Sequence, residues 1–430
     1  MMRAPDVTVV LLLLIAAGGV LASWYLARSW PRVVVAVWAA ACFLVPIWVG
    51  AQAGLYFSAL TAVTLIGLAA WSVTPLTVTI VDVLVLGFAL LVLAAFLFAG
   101  STWGHVLIVF LGWFVPYVWG RAIMVRVEPG WVYACIAVAA TVTAVLGILE
   151  FLTGFNPFVQ IVTSNGAWRT WNELQARAEF TRVEGAFGHS IAFASSLAIG
   201  SVFVAVTRWP VAVRLACLAA IITAAGLSFS RIGLIGLVLT LVLAALLLGR
   251  WINRAMRIGI ALLIAVAAAI ALPTLWDVFT MAGAEAGSSA EYRGDLFALF
   301  GEMRTLGIAS SWTVLPSGET YYGSFQSIDS ELVLTGLRFG LLPLLVILAA
   351  LVIVVASIIR GRATPASVAL VAQLPALATV ALITQYGYLV WFVAGLAVSS
   401  VTLDRRGRNL TPDRDAVGTA GVERERLGTR

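Results

Sequence analysis

Several residue types are scarce or missing from the 430-residue sequence. It contains no lysine, only three cysteines and two histidines, and charged residues make up 11% of the chain. Cys42, Cys135 and Cys217 lie within apolar segments without ligand-like spacing, which excludes a disulfide framework and a cysteine zinc site. A glycine-rich P-loop motif is also missing, which argues against ATP as a substrate.

The positive net charge does not indicate a nucleic-acid partner. The net charge is +6, and all 26 basic residues are arginines that cluster at the ends of apolar segments. Arginine at such positions is typical of the loops of membrane proteins, where it determines orientation. We therefore predict membrane lipids, and no nucleic acid, as the surroundings of this chain.

Apolar residues dominate what remains. Hydrophobic residues make up 62% of the sequence, more than one water-soluble core of this length can bury. They form runs of roughly 20 residues, the length of a helix that crosses ~30 Å of hydrocarbon. The predicted fold class is therefore all-α, a polytopic membrane helix bundle with no separate soluble domain and no cleavable signal.

The runs predict twelve or thirteen transmembrane helices within a single domain, residues 1–403. We place them near residues 7–27, 33–50, 57–73, 80–99, 105–120, 131–152, 190–207, 211–229, 232–249, 257–275, 331–358, 366–383 and 386–403. Short arginine-bearing loops at 121–126 and 250–257 indicate the cytoplasmic side. The long connections 153–189 and 276–328 are then external, the second one large and partly helical, and residues 404–430 form a disordered cytoplasmic tail.

Two polar segments border the first external connection. Arg231 lies between two apolar spans that are joined by almost no loop. It is either an interfacial arginine that reaches water or a ligand for an anion. Arg182 and Glu184 form either a solvated loop pair or part of a site. His189, at the start of the next span, is either an interfacial or a catalytic histidine. Ionisable residues at membrane depth are functional candidates because they are costly there.

Two further segments belong to the second external connection. Arg293 follows a capping-box pattern and lies either on a solvated helix face or against a phosphate group. Asp329 and Glu331 precede the next span, where a carboxylate either caps the helix or accepts a proton from a hydroxyl group. Several arginines and a few carboxylates beside lipid suit a pyrophosphate-linked lipid donor, whose charge they can offset without a metal.

The pattern resembles the O-antigen ligase and O-antigen polymerase superfamily. The resemblance rests on segments 182–188, 230–236 and 329–340, on Arg293, and on the long external loop before the last spans. It implies an enzyme without metal or cofactor on the outer face of the bacterial cytoplasmic membrane. Such an enzyme is a glycosyltransferase that moves a glycan from a polyprenyl-pyrophosphate carrier to an acceptor, which is a growing glycan or a lipid.

Residue roles follow from the resemblance. Arg231, Arg293 and Arg182 would bind the pyrophosphate, while Asp329, His189 and Glu331 would be the catalytic candidates. Ligases of the family commonly carry a histidine at the start of the span that follows the large loop, where this chain has Asp329. This difference favours a polysaccharide polymerase, with Asp329 as the base. An O-antigen-type ligase, a membrane transporter and a lipid-glycan flippase are the alternatives.

Overall fold

The computed structural model describes residues 7–53, 55–72, 74–177, 180–281, 296, 298–315 and 320–405. Helices dominate this part of the chain, and the strands form only three antiparallel two-stranded hairpins. The hairpins pair Gly50–Ala53 with Leu55–Ser58, Ala176–Arg177 with Phe180–Thr181, and Trp312–Val314 with Thr320–Tyr322 (β1 to β6). The described residues therefore confirm that the fold is a mainly helical bundle, as predicted.

The helices follow the apolar runs of the sequence. In chain order, α1 to α12 are Val7–Ser29, Pro31–Leu44, Ala59–Ala70, Ile80–Phe98, Trp103–Leu107, Val115–Arg126, Pro129–Thr153, Gly166–Trp171, Ser190–Val206, Val211–Leu227, Arg231–Leu247 and Arg254–Met281. The last five, α13 to α17, are Glu331–Phe339, Leu341–Ile359, Pro365–Val371, Leu374–Thr379 and Thr384–Arg405. A π-helical turn at Ile108–Phe114 joins α5 to α6.

Within the described residues, five helices are long and apolar enough to cross a membrane. They are Ile80–Phe98, Trp103–Arg126, Pro129–Thr153, Leu341–Ile359 and Thr384–Asp404. The pair Gly18–Ser29 and Pro31–Leu44, bent by 116°, makes a sixth if it counts as one span. Five shorter apolar helical segments accompany them. Large apolar side chains such as Leu345, Val352 and Ile359 are exposed, as expected for a lipid-facing surface.

The centre of the bundle is the contact between α6 and α17. A Cβ atom at Gly120 would collide with the Phe392 carbonyl oxygen, and one at Gly395 would collide with the Tyr117 carbonyl oxygen. Small residues therefore bring the two backbones together, which is the usual basis of helix association in membranes. Trp38 packs on Phe392 with ring centroids 3.9 Å apart and extends this core to α2.

A buried ion pair fastens α4 to this central pair. The Arg121 guanidinium donates to both carboxylate oxygens of Asp82, over 2.8 and 3.0 Å, and also to Ser399 Oγ over 2.9 Å. Tyr117 donates to the same carboxylate over 2.7 Å, and Asp82 completes the capping box of α4 with Thr79. Asp82 therefore has a structural role at the first turn of α4.

Several predicted spans, including the one at 57–73 that is helical only at Ala59–Ala70, are shorter or interrupted. The span predicted at 331–358 divides into α13 and α14 at Gly340, whose φ of 102° is the left-handed region that favours glycine. The span predicted at 366–383 breaks after Val371 and again after Thr379. The one predicted at 33–50 ends as a helix at Leu44, before the first hairpin.

We predict that breaking the Arg121–Asp82 pair from one side destabilises the bundle. Arg121→Met leaves an uncompensated carboxylate and is expected to cost about 3 kcal/mol of unfolding free energy. Arg208→Met is the matched control, because Arg208 pairs with Glu128 at 3.6 Å with both side chains more than half exposed. Unfolding in detergent measures both variants, and equal stabilities for the two would contradict this role for the buried pair.

Candidate functional site

The connection between α7 and α9 is anchored by a carboxylate at the end of α7. Glu150 Oε1 accepts hydrogen bonds from Asn156 Nδ2 at 3.0 Å and from the Glu184 backbone N–H at 3.2 Å. Its Oε2 accepts from the Gly185 N–H at 2.9 Å. Glu150 is buried, so these three donors replace the water that a carboxylate needs. The segment 182–188 is therefore held against the end of α7.

Arg182 links the same segment to the turn between α10 and α11. Its side chain is buried, and Nε donates to the Ser228 carbonyl oxygen at 3.0 Å. One terminal nitrogen donates to Gln175 Oε1 at 3.3 Å, and the Arg182 backbone N–H donates to the Gln175 carbonyl at 2.8 Å. Arg231 begins α11 three residues after Ser228, with an exposed side chain. Segment 182–188 and the turn before Arg231, which are separate in the sequence, are therefore in contact in the structure.

The turn itself has an unusual backbone. Phe229 has a φ of 48°, which is uncommon for a residue with a side chain. Its ring stacks on Phe180 with centroids 5.4 Å apart and lies 6.4 Å from Phe151. Ser230 caps α11 by accepting a hydrogen bond from the Gly233 N–H at 3.2 Å. These contacts hold the beginning of α11, and with it the Arg231 backbone, against the loop.

Glu184 is a buried carboxyl group beside Arg182. Burial, together with the negative charge of the nearby Glu150, raises the pKa of Glu184 to about 7. The hydrogen bond from the Gln175 N–H and the charge of Arg182 lower this pKa, but by less. Oε1 accepts the Gln175 N–H at 3.0 Å, whereas Oε2 has no partner among the described residues. A carboxyl group with this pKa exchanges its proton near neutral pH, as a general acid or base must. Glu184 is, however, fully buried, which separates it from an acceptor molecule in solution.

His189 is the N-cap of α9. Its Nδ1 accepts the Ile191 N–H at 3.1 Å, and its ring meets Trp171 edge-on at 5.8 Å. Burial, together with Arg182, lowers the pKa of His189 to about 4, so the ring is neutral at pH 7. Because Nδ1 accepts a hydrogen bond, Nε2 carries the proton and is a donor. The catalytic role of His189 stays a prediction, and this tautomer suits a hydrogen-bond donor rather than a base.

Asp329 and Glu331 have different surroundings although they are two residues apart. Asp329 is exposed, and its Oδ1 accepts a hydrogen bond from the Ser327 hydroxyl at 3.5 Å. Ser330, rather than either carboxylate, caps α13 by accepting the Val333 N–H at 3.3 Å. Asp329 is thus accessible to an acceptor molecule, and its role as the base stays a prediction.

Glu331 is buried and binds the interrupted segment after α16. Its Oε2 accepts the Leu382 N–H at 2.6 Å, and its own N–H donates to the Val380 carbonyl at 3.1 Å. Its Oε1 accepts from Thr335 Oγ1 at 3.4 Å. Glu331 therefore supplies hydrogen-bond partners for two backbone groups, the Leu382 N–H and the Val380 carbonyl, at the interruption between α16 and α17. A catalytic role for Glu331 stays a prediction, and its contacts are those of a positioning residue.

The interrupted segment also reaches the first loop. Gln385 Nε2 donates to the Ala186 carbonyl at 3.0 Å and to the Val45 carbonyl at 2.7 Å. Gln373 Oε1 accepts the Tyr386 hydroxyl at 3.1 Å. Both glutamines are fully buried, and neither Gln385 Oε1 nor Gln373 Nε2 has a partner among the described residues. Segments 182–188 and 380–385 are therefore connected at the first turn of α17.

The structure thus brings Arg182, Glu184 and His189 together with the turn that begins at Ser228. Glu331 joins this arrangement through the 380–385 segment, and Asp329 lies two residues before it. Arg293 and the capping box before it lie outside the described residues. In the part of the chain that is described, no group of three or more His, Cys, Asp or Glu residues is arranged to hold a metal ion. Glu150, Gln175 and Gln385 complete the polar network.

These features define a class: a helical, multi-pass membrane protein in which one polar loop is packed against an interrupted helix. Comparisons with protein-family models, with curated proteins and with solved structures found no match to this chain. The site must therefore be interpreted from its own residues.

We predict that Glu184 and His189 give opposite pH dependences of stability. The raised pKa of Glu184 stabilises the fold below pH 4.5, and this stability is lost as pH rises towards 7. The lowered pKa of His189 stabilises the fold above pH 6.5, and this stability is lost as pH falls towards 4. The two effects oppose each other in the natural protein.

Single substitutions separate these effects. Glu184→Gln removes the Glu184 effect, so its unfolding temperature in detergent, taken relative to that of the natural protein, should fall from pH 6.5 to pH 4.5. In His189→Asn, which preserves an N-cap side chain, it should fall from pH 4.5 to pH 7. Glu173→Gln removes an exposed carboxylate from the same connection and serves as the control. The assignment would be contradicted if the unfolding temperatures of the two variants, each taken relative to that of the natural protein, changed in the same direction with pH.

Proposed function

We propose that this protein is a membrane glycosyltransferase that moves a glycan from a polyprenyl-pyrophosphate carrier to the end of a growing glycan, as a polysaccharide polymerase does. The observation that carries the proposal is the junction of segment 182–188 with the start of α11. Arg182 donates a hydrogen bond to the Ser228 carbonyl, and Arg231, three residues after Ser228, is the first residue of α11. Two guanidinium groups at one end of the bundle suit a diphosphate.

The proposal includes a membrane topology with a defined number of spans and a defined outer face. The chain crosses the bacterial cytoplasmic membrane twelve or thirteen times, and the connections 153–189 and 276–328 lie outside. The five shorter apolar helical segments would complete the spans, some of them through tilt or through interrupted pairs. The predicted external side then contains Arg182, Arg231 and Asp329, and also Arg293 if the large loop covers the site.

The reaction needs charge neutralisation and one proton acceptor. The acceptor hydroxyl forms the new glycosidic bond while the bond between the sugar and the diphosphate breaks, and the electron pair leaves with the diphosphate. Arginine guanidinium groups stabilise the charge that develops on this leaving group. The hydroxyl proton passes to a carboxylate, and the exposed Asp329 is accessible to the acceptor.

One observation favours a second candidate function. Interrupted helices with buried polar groups are typical of transporters, and the 371–384 segment has this character, with Gln373 and Gln385 fully buried. A lipid-glycan flippase would use the same diphosphate ligand without breaking a bond. An O-antigen-type ligase remains the alternative within the transferase class, since only the acceptor distinguishes it from a polymerase.

Deletion of the gene separates these functions. A polymerase predicts that single repeat units accumulate on an outward-exposed carrier while surface polymer disappears, as measured by mass spectrometry of lipid-linked glycans. Full-length chains on the carrier would indicate a ligase, and units trapped on the inner face a flippase. Unchanged lipid intermediates and surface glycans would contradict all three assignments.

Arginine variants test the site in the complemented strain. Arg231→Gln is expected to reduce surface polymer at least about 10-fold, because a charge-assisted contact to the diphosphate is worth about 1.5–3 kcal/mol. Arg231→Lys should restore part of the activity. Arg169→Gln removes an exposed arginine from the same external connection and should leave polymer levels unchanged. Equal polymer levels in the Arg231→Gln and Arg169→Gln strains would overturn the pyrophosphate role.

A further inference from the structure

A cavity of about 450 Å³ lies at the end of the bundle opposite to the candidate site. The two places are separated by α7, which begins at Pro129 beside the cavity and ends near Glu150; its 25 residues span ~37 Å. The cavity is lined by the end of α6, the start of α7, the end of α9, the end of α17 and the loop that precedes α12. It is therefore separate from the proposed transferase site.

Three arginines from three different elements surround this cavity. Arg126, in the last turn of α6, donates from Nε to Thr74 Oγ1 at 2.9 Å. Arg32, in the first turn of α2, lies over the Trp131 ring with its guanidinium carbon 5.8 Å from the ring centroid. Arg208, after α9, lies 3.6 Å from Glu128. Three guanidinium groups from different elements therefore border the same cavity.

The cavity also favours an anion electrostatically. Its rim has three positive charges and, at Glu128, one negative charge, which leaves +2. Gly130 and Trp131 belong to the first turn of α7, where the helix dipole adds partial positive charge. The three arginines are exposed, so they are accessible to a ligand from the membrane surface. Phosphate is the group that several guanidinium ions recognise best.

Tryptophans place the cavity at the membrane surface. Trp131, Trp209 and Trp251 line it, and tryptophan is enriched where headgroups meet hydrocarbon. Arginines of the neighbouring connections, Arg250 and Arg254, belong to the same end of the bundle, which the positive-inside rule assigns to the cytoplasmic leaflet. The position is therefore that of a lipid headgroup in the inner leaflet.

An apolar groove continues from the cavity along α7 and α10. It encloses about 320 Å³, shares Trp209 with the cavity, and is otherwise lined by Val138, Thr141, Val142, Pro210, Val213 and Cys217. A soluble phosphate ion has no apolar part that could occupy this groove, whereas a phospholipid has an acyl chain that can bury its apolar surface there. The basic cavity and the apolar groove form one amphipathic surface that matches one amphipathic ligand.

We infer that this surface binds an anionic phospholipid of the inner leaflet, with the phosphate among Arg32, Arg126 and Arg208 and one acyl chain along α7 and α10. Basic pockets between helices on the cytoplasmic side bind such headgroups. The inference goes beyond the proposed transferase function and does not depend on it. Phosphatidylglycerol is the simplest test ligand, and phosphatidylcholine with the same acyl chains is its neutral counterpart.

Native mass spectrometry of the full chain in detergent tests this inference. The Arg126→Gln/Arg208→Gln variant should bind phosphatidylglycerol about 30-fold more weakly than the natural protein, since each basic residue contributes a factor of about five to six. Arg126→Lys/Arg208→Lys should retain most of the binding. Arg360→Gln/Arg362→Gln removes two exposed arginines next to α14, outside the cavity, and should bind as the natural protein does.

A groove variant distinguishes a lipid from free phosphate. Val138 is half-exposed, so Val138→Trp narrows the groove without disturbing the core, and it should weaken phosphatidylglycerol binding. Inorganic phosphate is tested as a competitor. The inference is overturned if phosphatidylcholine binds equally well, or if the two glutamine double variants lose binding equally. Competition by millimolar phosphate with no effect of Val138→Trp would also overturn it, in favour of a soluble-phosphate site.

Discussion

The arrangement depends on one constraint of the membrane interior, where every backbone polar group needs a partner within the protein. Between α16 and α17 the helix is interrupted, and residues 381–383 lie outside any helix. Glu331 provides both a donor and an acceptor for the backbone at this interruption. Its N–H donates to the Val380 carbonyl, and its carboxylate accepts the Leu382 N–H. The interruption can persist because α13 supplies these partners.

The interrupted segment in turn positions the polar loop. Gln385 follows it directly and donates to the Ala186 carbonyl, while Glu150 binds the backbone of the same loop at Glu184 and Gly185. The loop is therefore held from α7 and from α17, and Arg182 extends from it to the turn before α11. A site that is held from three helices is preorganised, which favours the binding of a charged ligand at little entropic cost.

Hydropathy was sufficient to predict most helices but not their interruptions. The helices at Ile80–Phe98, Pro129–Thr153 and Ser190–Val206 follow apolar runs closely. The breaks at Gly340 and after Thr379 occur within runs that remain apolar, so composition does not reveal them. Gly340 was a local signal for the first of these breaks, whereas Pro375 marks the earlier break after Val371.

The site was only partly predictable for a similar reason. The sequence indicated Arg182, His189 and Arg231 as candidates, yet their proximity depends on tertiary contacts between segments about 45 residues apart. Glu150 has no local signal of its role, because its partners at 184 and 185 lie on a different element. The contact between Glu331 and Leu382 joins residues 51 positions apart, and no local pattern predicts it.

The central claim is that this chain alone catalyses glycan transfer from a diphosphate lipid. Purified protein in liposomes, supplied with polyprenyl-pyrophosphate-linked repeat units and a metal chelator, tests it most directly. The account predicts longer lipid-linked glycans together with release of free polyprenyl pyrophosphate, and it predicts that Arg182→Gln abolishes both. Intact donor units that only change leaflet, without release of the carrier, would contradict the account and identify a flippase.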